Sequence, residues 1–213
     1  MEIVILPGPD DVAREAARRV AGVVRRRPGA VLGLATGSSP LGLYAELARQ
    51  VADGALDVTG VCGYALDEYV GIPLEHPQSY ASVIRRTVTE PLGLDPRRVH
   101  VPDGRAPDLA AAADAYERAI RTAGGIDLQI LGIGANGHLG FNEPTSSLAS
   151  RTRVKTLAPR TRADNARFFA GPEEVPVHCL TQGLGTILEA RELLLVAQGE
   201  AKGLFTIEGV VGA

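Results

Sequence analysis

Tryptophan is absent from this 213-residue chain, methionine occurs once, and four phenylalanines and five tyrosines are the whole aromatic content. A core built from it must be aliphatic and alanine-rich. The only two cysteines, Cys62 and Cys179, stand far apart and fit no metal-ligand spacing; reduced thiols in a cytoplasmic protein are expected. No apolar run is long enough to span a bilayer, and the N-terminus lacks a signal-peptide layout, so no membrane partner is expected. A net charge of −3 withholds the basic face that a nucleic-acid partner requires. Repeats and low-complexity linkers are missing as well, which leaves one domain over residues 1–213 with a sizeable core.

What is present is an alternation of apolar runs and amphipathic stretches. Residues 2–6 read as a strand stopped by Pro7-Gly8-Pro9. Asp10 and Asp11 then open a helix with Val12, Ala16, Val20, Val23 and Val24 at helical spacing. Arg25-Arg26-Arg27 suits the negative end of its dipole, and Gly29 is expected to end it. Further strands are expected at 30–34, 61–66, 98–101, 128–133 and 193–197, all read as buried apart from the short run at 98–101, with an edge strand at 152–157. Helices are expected from Leu41 onward and at 79–88, 106–123, 158–169, 180–190 and 200–211. This order implies an α/β fold: one doubly wound, mostly parallel sheet with helices on both faces.

Chemistry concentrates between Asp127 and Ser150. Leu128, Ile130, Leu131 and Ile133 form a buried strand, and Asn136, His138, Asn142 and Glu143 crowd into the loop behind it. Gly132, Gly134, Gly137 and Gly140 let that loop bend sharply. Polar groups at the C-terminal end of a buried strand are where an open α/β sheet places its ligand. Alone, His138 would read as an ordinary loop histidine; Glu143 changes this, because a carboxylate orients an imidazole and tunes it. Gly132-x-Gly134-x-x-Gly137 satisfies the dinucleotide fingerprint as a bare pattern only. Pro144 interrupts the helix that this motif needs, and Arg151, Arg153 and Lys155 make the following stretch basic. No nucleotide cofactor is expected.

Two other strand ends carry polar groups. Residues 30–34 run into Ala35-Thr36-Gly37-Ser38-Ser39-Pro40, with Ser39 placed as N-cap of the next helix and Pro40 in its first turn. Backbone N–H groups, hydroxyls and a helix N-terminus suit a phosphate, and a plain capping turn is the equal alternative. No Gly-Lys-Ser/Thr follows, so it is not a P-loop. The strand at 61–66 ends in Asp67-Glu68-Tyr69. Adjacent side chains diverge, so at most one of the two acids faces a site there. Residues 70–78, with His76, are placed to act as a lid.

In combination these segments resemble the glucosamine-6-phosphate deaminases. Leu32-Gly33-Leu34-Ala35-Thr36-Gly37-Ser38-Ser39-Pro40 is similar to that family's phosphate loop. Leu66-Asp67-Glu68-Tyr69-Val70-Gly71 with His76-Pro77-Gln78-Ser79-Tyr80 is similar to its second motif. The run from Gly132 to Pro144 is similar to the third, and the likeness continues through Ser150 to Thr156, Leu180 to Thr186, and Gly199 to Lys202. It covers essentially the whole chain.

The resemblance implies conversion of glucosamine 6-phosphate and water to fructose 6-phosphate and ammonia in amino-sugar catabolism, by an enzyme classed as a hydrolase of a carbon–nitrogen bond. It implies that Asp67 moves a proton between C2 and C1 and that His138 opens the sugar ring, with Asn136 and Glu143 completing its relay. Thr36, Gly37, Ser38, Ser39, Arg167 and Lys202 would hold the phosphate. Some members carry an aspartate where Asn136 stands. Ser146, Arg153, Lys155 and Thr156 match positions that bind the activator N-acetylglucosamine 6-phosphate between subunits in allosteric members, which allows a homo-oligomer. The family usually continues well past residue 213, where a further segment closes over the activator, so weak or absent activation is expected. The implied partner is a small sugar phosphate, and no metal or organic cofactor is required. Two alternatives stand beside this reading: a 6-phosphogluconolactonase with the same sheet and phosphate loop, and a sugar-phosphate sensor domain without turnover.

Overall fold

The computed structural model describes residues 2–134 and 136–198. Lys202, the segment around it and the helix expected at 200–211 lie outside the described residues.

Helix α1 (Pro9–Arg26) starts where Pro9 pre-sets the backbone angle, carries Asp10 and Asp11 in its first turn, and ends with Arg25 and Arg26 in its last. Its cap is Arg27 rather than Gly29. Ala16, Ala17, Val20, Ala21, Val23 and Val24 form the buried stripe. That stripe lies in one core cluster with Leu32, Leu34, Leu128 and Ile130 of the sheet. Strand β1 (Val31–Leu34) is buried along its whole length, and helix α2 (Leu41–Ala52) follows beside α1. Strand β2 (Cys62–Ala65) leads into a separate short strand β3 (Asp67–Tyr69). Helix α3 (Tyr80–Ile84) continues through a π-helical stretch, Arg85–Thr89, into α4 (Glu90–Leu92). Strand β4 (Val99–His100), helix α5 (Leu109–Thr122) and strand β5 (Leu128–Leu131) complete the third crossover. The last part holds β6 (Arg153–Thr156), α6 (Pro159–Asn165), β7 (His178–Thr181), α7 (Leu184–Leu188) and β8 (Glu192–Leu195).

Five strands form a parallel sheet in the order β4-β2-β1-β5-β8. Helices α1 and α2 cover one face; Tyr116 and Ile120 of α5 pack with Val31 and Tyr64 on the other. The doubly wound α/β architecture therefore holds. The chain proceeds outward from β1 through β2 to β4, then crosses to the other side of β1 for β5 and β8. The crevice between the C-terminal ends of β1 and β5 is thus the topological switch point.

A second sheet, β3-β7-β6, is antiparallel. It corrects two expectations. The chain leaves the large sheet at Leu66, whose N–H still bonds Leu34 O while its carbonyl accepts from Gln182, so Asp67-Glu68-Tyr69 is a strand of its own. Residues 180–190 are not one helix: Cys179, Leu180 and Thr181 pair with Tyr69, Glu68 and Asp67, and only Leu184–Leu188 is helical. The glycine just before α7 has a steric cause. A Cβ on Gly183 would stand 2.1 Å from Ser150 O, so the backbone of the 150 turn can pass against the helix start only if Gly183 has no side chain.

Two other expectations fail at the sheet margins. Residues 2–6 form no strand; Ile3, Val4 and Ile5 are exposed, and no strand among the described residues pairs with their backbone. Among the described residues strand β8 pairs only with β5, and Leu193 and Leu195 are exposed rather than buried. No helix of the described residues is long and apolar enough to cross a membrane.

Candidate active site

The loop after β1 and the loop after β5 meet at the switch point: a Cβ added to Gly132 would stand 3.9 Å from Ser39 Cβ. Tyr44 of α2 holds the start of the first loop, its hydroxyl donating to Ala35 O at 2.9 Å and accepting from Ala35 N at 3.1 Å. Gly37 takes a φ of 91°, a left-handed turn that suits glycine. The helix cap is Pro40, not Ser39, and no side chain caps α2. The first N–H groups of a twelve-residue helix thus lie at the switch point with Thr36, Gly37, Ser38 and Ser39 beside them, the layout that suits an anion.

Asp67 and Glu68 diverge, and the structure separates their roles. Glu68 is buried and accepts the backbone N–H groups of Tyr69, Tyr80 and Ala81 at 2.8–2.9 Å, so it closes the N-terminus of α3. Burial raises its pKa against those three bonds. Asp67, directly opposite Thr181, turns to the other face. It is 5% exposed, and no donor among the described residues reaches its carboxyl group. Burial first, and the neighbouring Glu68 second, push its pKa up to about 8. Its Oδ2 lies 3.3 Å from where a Cβ of Gly140 would sit, which puts the carboxyl against the glycine loop after β5.

On that loop His138, Asn136 and Glu143 form a chain. Glu143 accepts from Asn136 Nδ2, and Asn136 Oδ1 lies 2.7 Å from His138 Nδ1. A carboxylate only accepts, so the amide must present its NH₂ to Glu143 and its oxygen to the imidazole. In the neutral ring this puts the proton on Nδ1 and the lone pair on Nε2. Glu143 orients His138 through Asn136 rather than directly. Gly134 makes the arrangement possible: a Cβ there would lie 2.2 Å from the imidazole, so the ring occupies the space a side chain would take. Asn142 anchors the loop, donating to Leu139 O and Gln182 O.

Other expected site residues are more dispersed. Arg167 is exposed and places its guanidinium over the Phe168 ring, 4.7 Å from the centroid. Arg153 and Lys155 of β6 oppose Thr181 and Cys179 and so share the Asp67 face of the small sheet. Thr156 alternates to the other face, with its hydroxyl 3.2 Å from His178 Nδ1, and Ser146 donates its N–H to Glu143 O. Among the described residues no group of three or more His, Cys, Asp or Glu side chains could hold a metal ion. Sequence reasoning missed Thr161 and Asn165. Thr161 donates to Glu143 Oε1 at 2.8 Å, and Asn165 donates to Tyr69 OH at 2.9 Å. Their spacing of one helical turn on α6 was the available signal.

Residues 9–206 match the family described as glucosamine-6-phosphate isomerases/6-phosphogluconolactonase. A glucosamine-6-phosphate deaminase of Cutibacterium acnes is 58% identical over 216 residues, which cover 100% of this chain and 83% of that protein. One of Mycolicibacterium smegmatis is 53% identical over 217 residues, with the same coverage of both. Among solved structures, a monomeric glucosamine-6-phosphate deaminase is 39% identical with a TM-score of 0.89, over 92% of this chain and 81% of that one. The 6-phosphogluconolactonase of Thermotoga maritima, 22% identical with a TM-score of 0.74 over 100% of this chain and 89% of that one, shares the fold. With the family's pattern matched over residues 9–206 and more than half of its residues identical to those of these deaminases, the chain belongs to the glucosamine-6-phosphate isomerase/6-phosphogluconolactonase family.

Proposed function

We propose that this chain deaminates glucosamine 6-phosphate, converting it with water to fructose 6-phosphate and ammonia. The observation that carries this reading is the buried Asp67 carboxyl, without a donor among the described residues, set against the loop that bears the His138–Asn136–Glu143 chain. The loop from Thr36 to Ser39 receives the phosphate, with Arg167 and Lys202 as further cations, and this remote binding energy positions the reacting carbons. His138 Nε2 takes the proton of the anomeric hydroxyl and returns one to the ring oxygen, opening the ring. Asp67 removes the proton at C2 and delivers it to C1 while one amino proton passes to O1, so the aldehyde becomes a CH₂OH group and the amine an imine at C2. Water adds to that imine and ammonia leaves, so the sequence is an isomerisation followed by cleavage of a carbon–nitrogen bond. No step calls for a cofactor. The domain of residues 1–213 works in the cytoplasm, where sugar phosphates are made and the free thiols of Cys62 and Cys179 stay reduced.

The lactonase reading rests on likeness of fold at 22% identity, whereas the deaminases are more than half identical. A sensor would bind without using a proton relay. The test is ammonia release by the purified chain across a panel of hexose 6-phosphates, with hydrolysis of 6-phosphogluconolactone measured alongside. Ammonia from glucosamine 6-phosphate and no lactone hydrolysis is expected; lactone hydrolysis without ammonia would overturn the reading.

A further inference from the structure

The chain of contacts from His138 does not end at Glu143. Glu143 Oε2 accepts from Asn136, and its other oxygen, Oε1, accepts the Thr161 hydroxyl at 2.8 Å. Both carboxylate oxygens are therefore committed, one to the relay and one to α6. Thr161 is 4% exposed, so water does not compete freely for that bond. One turn further along α6, Asn165 donates to Tyr69 OH at 2.9 Å, two residues beyond the Asp67 base. Tyr69 in turn packs against Phe141 of the histidine loop.

These contacts give Thr161 a definable task. The Asn136 amide has two orientations about its last torsion, and only one presents oxygen to His138 Nδ1. The other presents NH₂, which forces the proton onto Nε2 and removes the lone pair that ring opening needs. Glu143 selects between the two by accepting only from NH₂, and its selection is as firm as its own rotamer. We infer that Thr161 is a positioning residue for ring opening: its hydroxyl pins Glu143, and through Asn136 it holds His138 in the tautomer with its proton on Nδ1 and none on Nε2. This inference rests on the proposed deamination, and it assigns a role to α6 within it.

The test uses Thr161→Val, which keeps the shape and removes the hydroxyl, and Thr161→Ser, which restores a hydroxyl. Ammonia release by the wild-type chain is measured first; its absence would defeat the deaminase reading itself. With that activity in hand, Thr161→Val is expected to lower kcat on glucosamine 6-phosphate about tenfold, the scale of losing one hydrogen bond to a charged group, with KM little changed. On 5-deoxyglucosamine 6-phosphate, which cannot close the six-membered ring, it is expected to match the wild type. Thr161→Ser is expected to recover most of the loss. Nitrogen-15 spectra of the neutral His138 ring should show the proton on Nδ1 in the wild type and Ser variant, and a mixture in the Val variant. Equal losses on both substrates, a Ser variant that folds yet stays as slow as Val, or an unchanged tautomer in Thr161→Val would each overturn the inference.

Discussion

Replacing Asp67 by Asn tests the buried base through stability as well as activity. In the fold the carboxyl titrates near 8, raised by burial and by Glu68, against an ordinary value of 3.8. The native state therefore holds a proton that the unfolded chain gives up, so stability contributed by the neutral carboxyl is complete below about pH 4. It is lost progressively as pH rises, and the loss is complete above the folded value. At about 1.4 kcal/mol per unit, the shift corresponds to roughly 6 kcal/mol between those limits, less whatever the site relaxes. Asn cannot ionise, and any fixed cost of burying its amide is the same at every pH. The difference in unfolding free energy between Asp67→Asn and wild type should thus swing toward the variant by several kcal/mol from pH 4 to pH 8. Denaturant melts at half-unit pH steps would measure it. The same variant should bind the sugar phosphate and release no ammonia, and kcat/KM of the wild type should rise with pH toward about 8 as the base ionises. Stability curves that stay parallel from pH 4 to 8 would refute the reasoning, since the carboxyl would then ionise as freely in the fold as in the unfolded chain.

His138→Gln should slow the closed-ring substrate at least a hundredfold while sparing the 5-deoxy analogue, as general acid–base groups contribute about 10²–10⁴; equal losses would move His138 to general positioning. Gly134→Ala should lower kcat more than it lowers thermal stability, because the new methyl occupies the imidazole's place; unchanged kcat would mean the ring moves without consequence. Glu68→Ala strands three backbone N–H groups at α3 and should cost about 2–4 kcal/mol of unfolding free energy, whereas a loss under 1 kcal/mol would show water reaching them. Arg167→Ala should raise KM for the phosphorylated sugar roughly tenfold at constant kcat; an unchanged KM would place the phosphate away from it.

The amino-acid order by itself determined the sheet and the identity of the chemical groups. Short apolar runs such as Leu128 to Leu131 declare buried strands through local burial alone, and helix α1 declares itself by spacing, proline and terminal charges. Asp67, His138 and the loop from Thr36 to Ser39 stand at strand ends, where a parallel sheet puts its ligand whatever the details. Tertiary structure decided everything that depends on a partner distant in the chain. Residues 2–6 have the pattern of a strand and no neighbour among the described residues to pair with. Residues 178–181 look no more strand-like, yet they find Asp67 to Tyr69 on one side and Arg153 to Thr156 on the other. That pairing turns Asp67 to the glycine loop and sends Glu68 to a helix end, a division of labour that two adjacent acids do not reveal. Thr161 offered the sequence only its helical spacing to Asn165, because its value lies in one hydrogen bond to Glu143. A hydroxyl's direction is fixed only when two segments fold against each other.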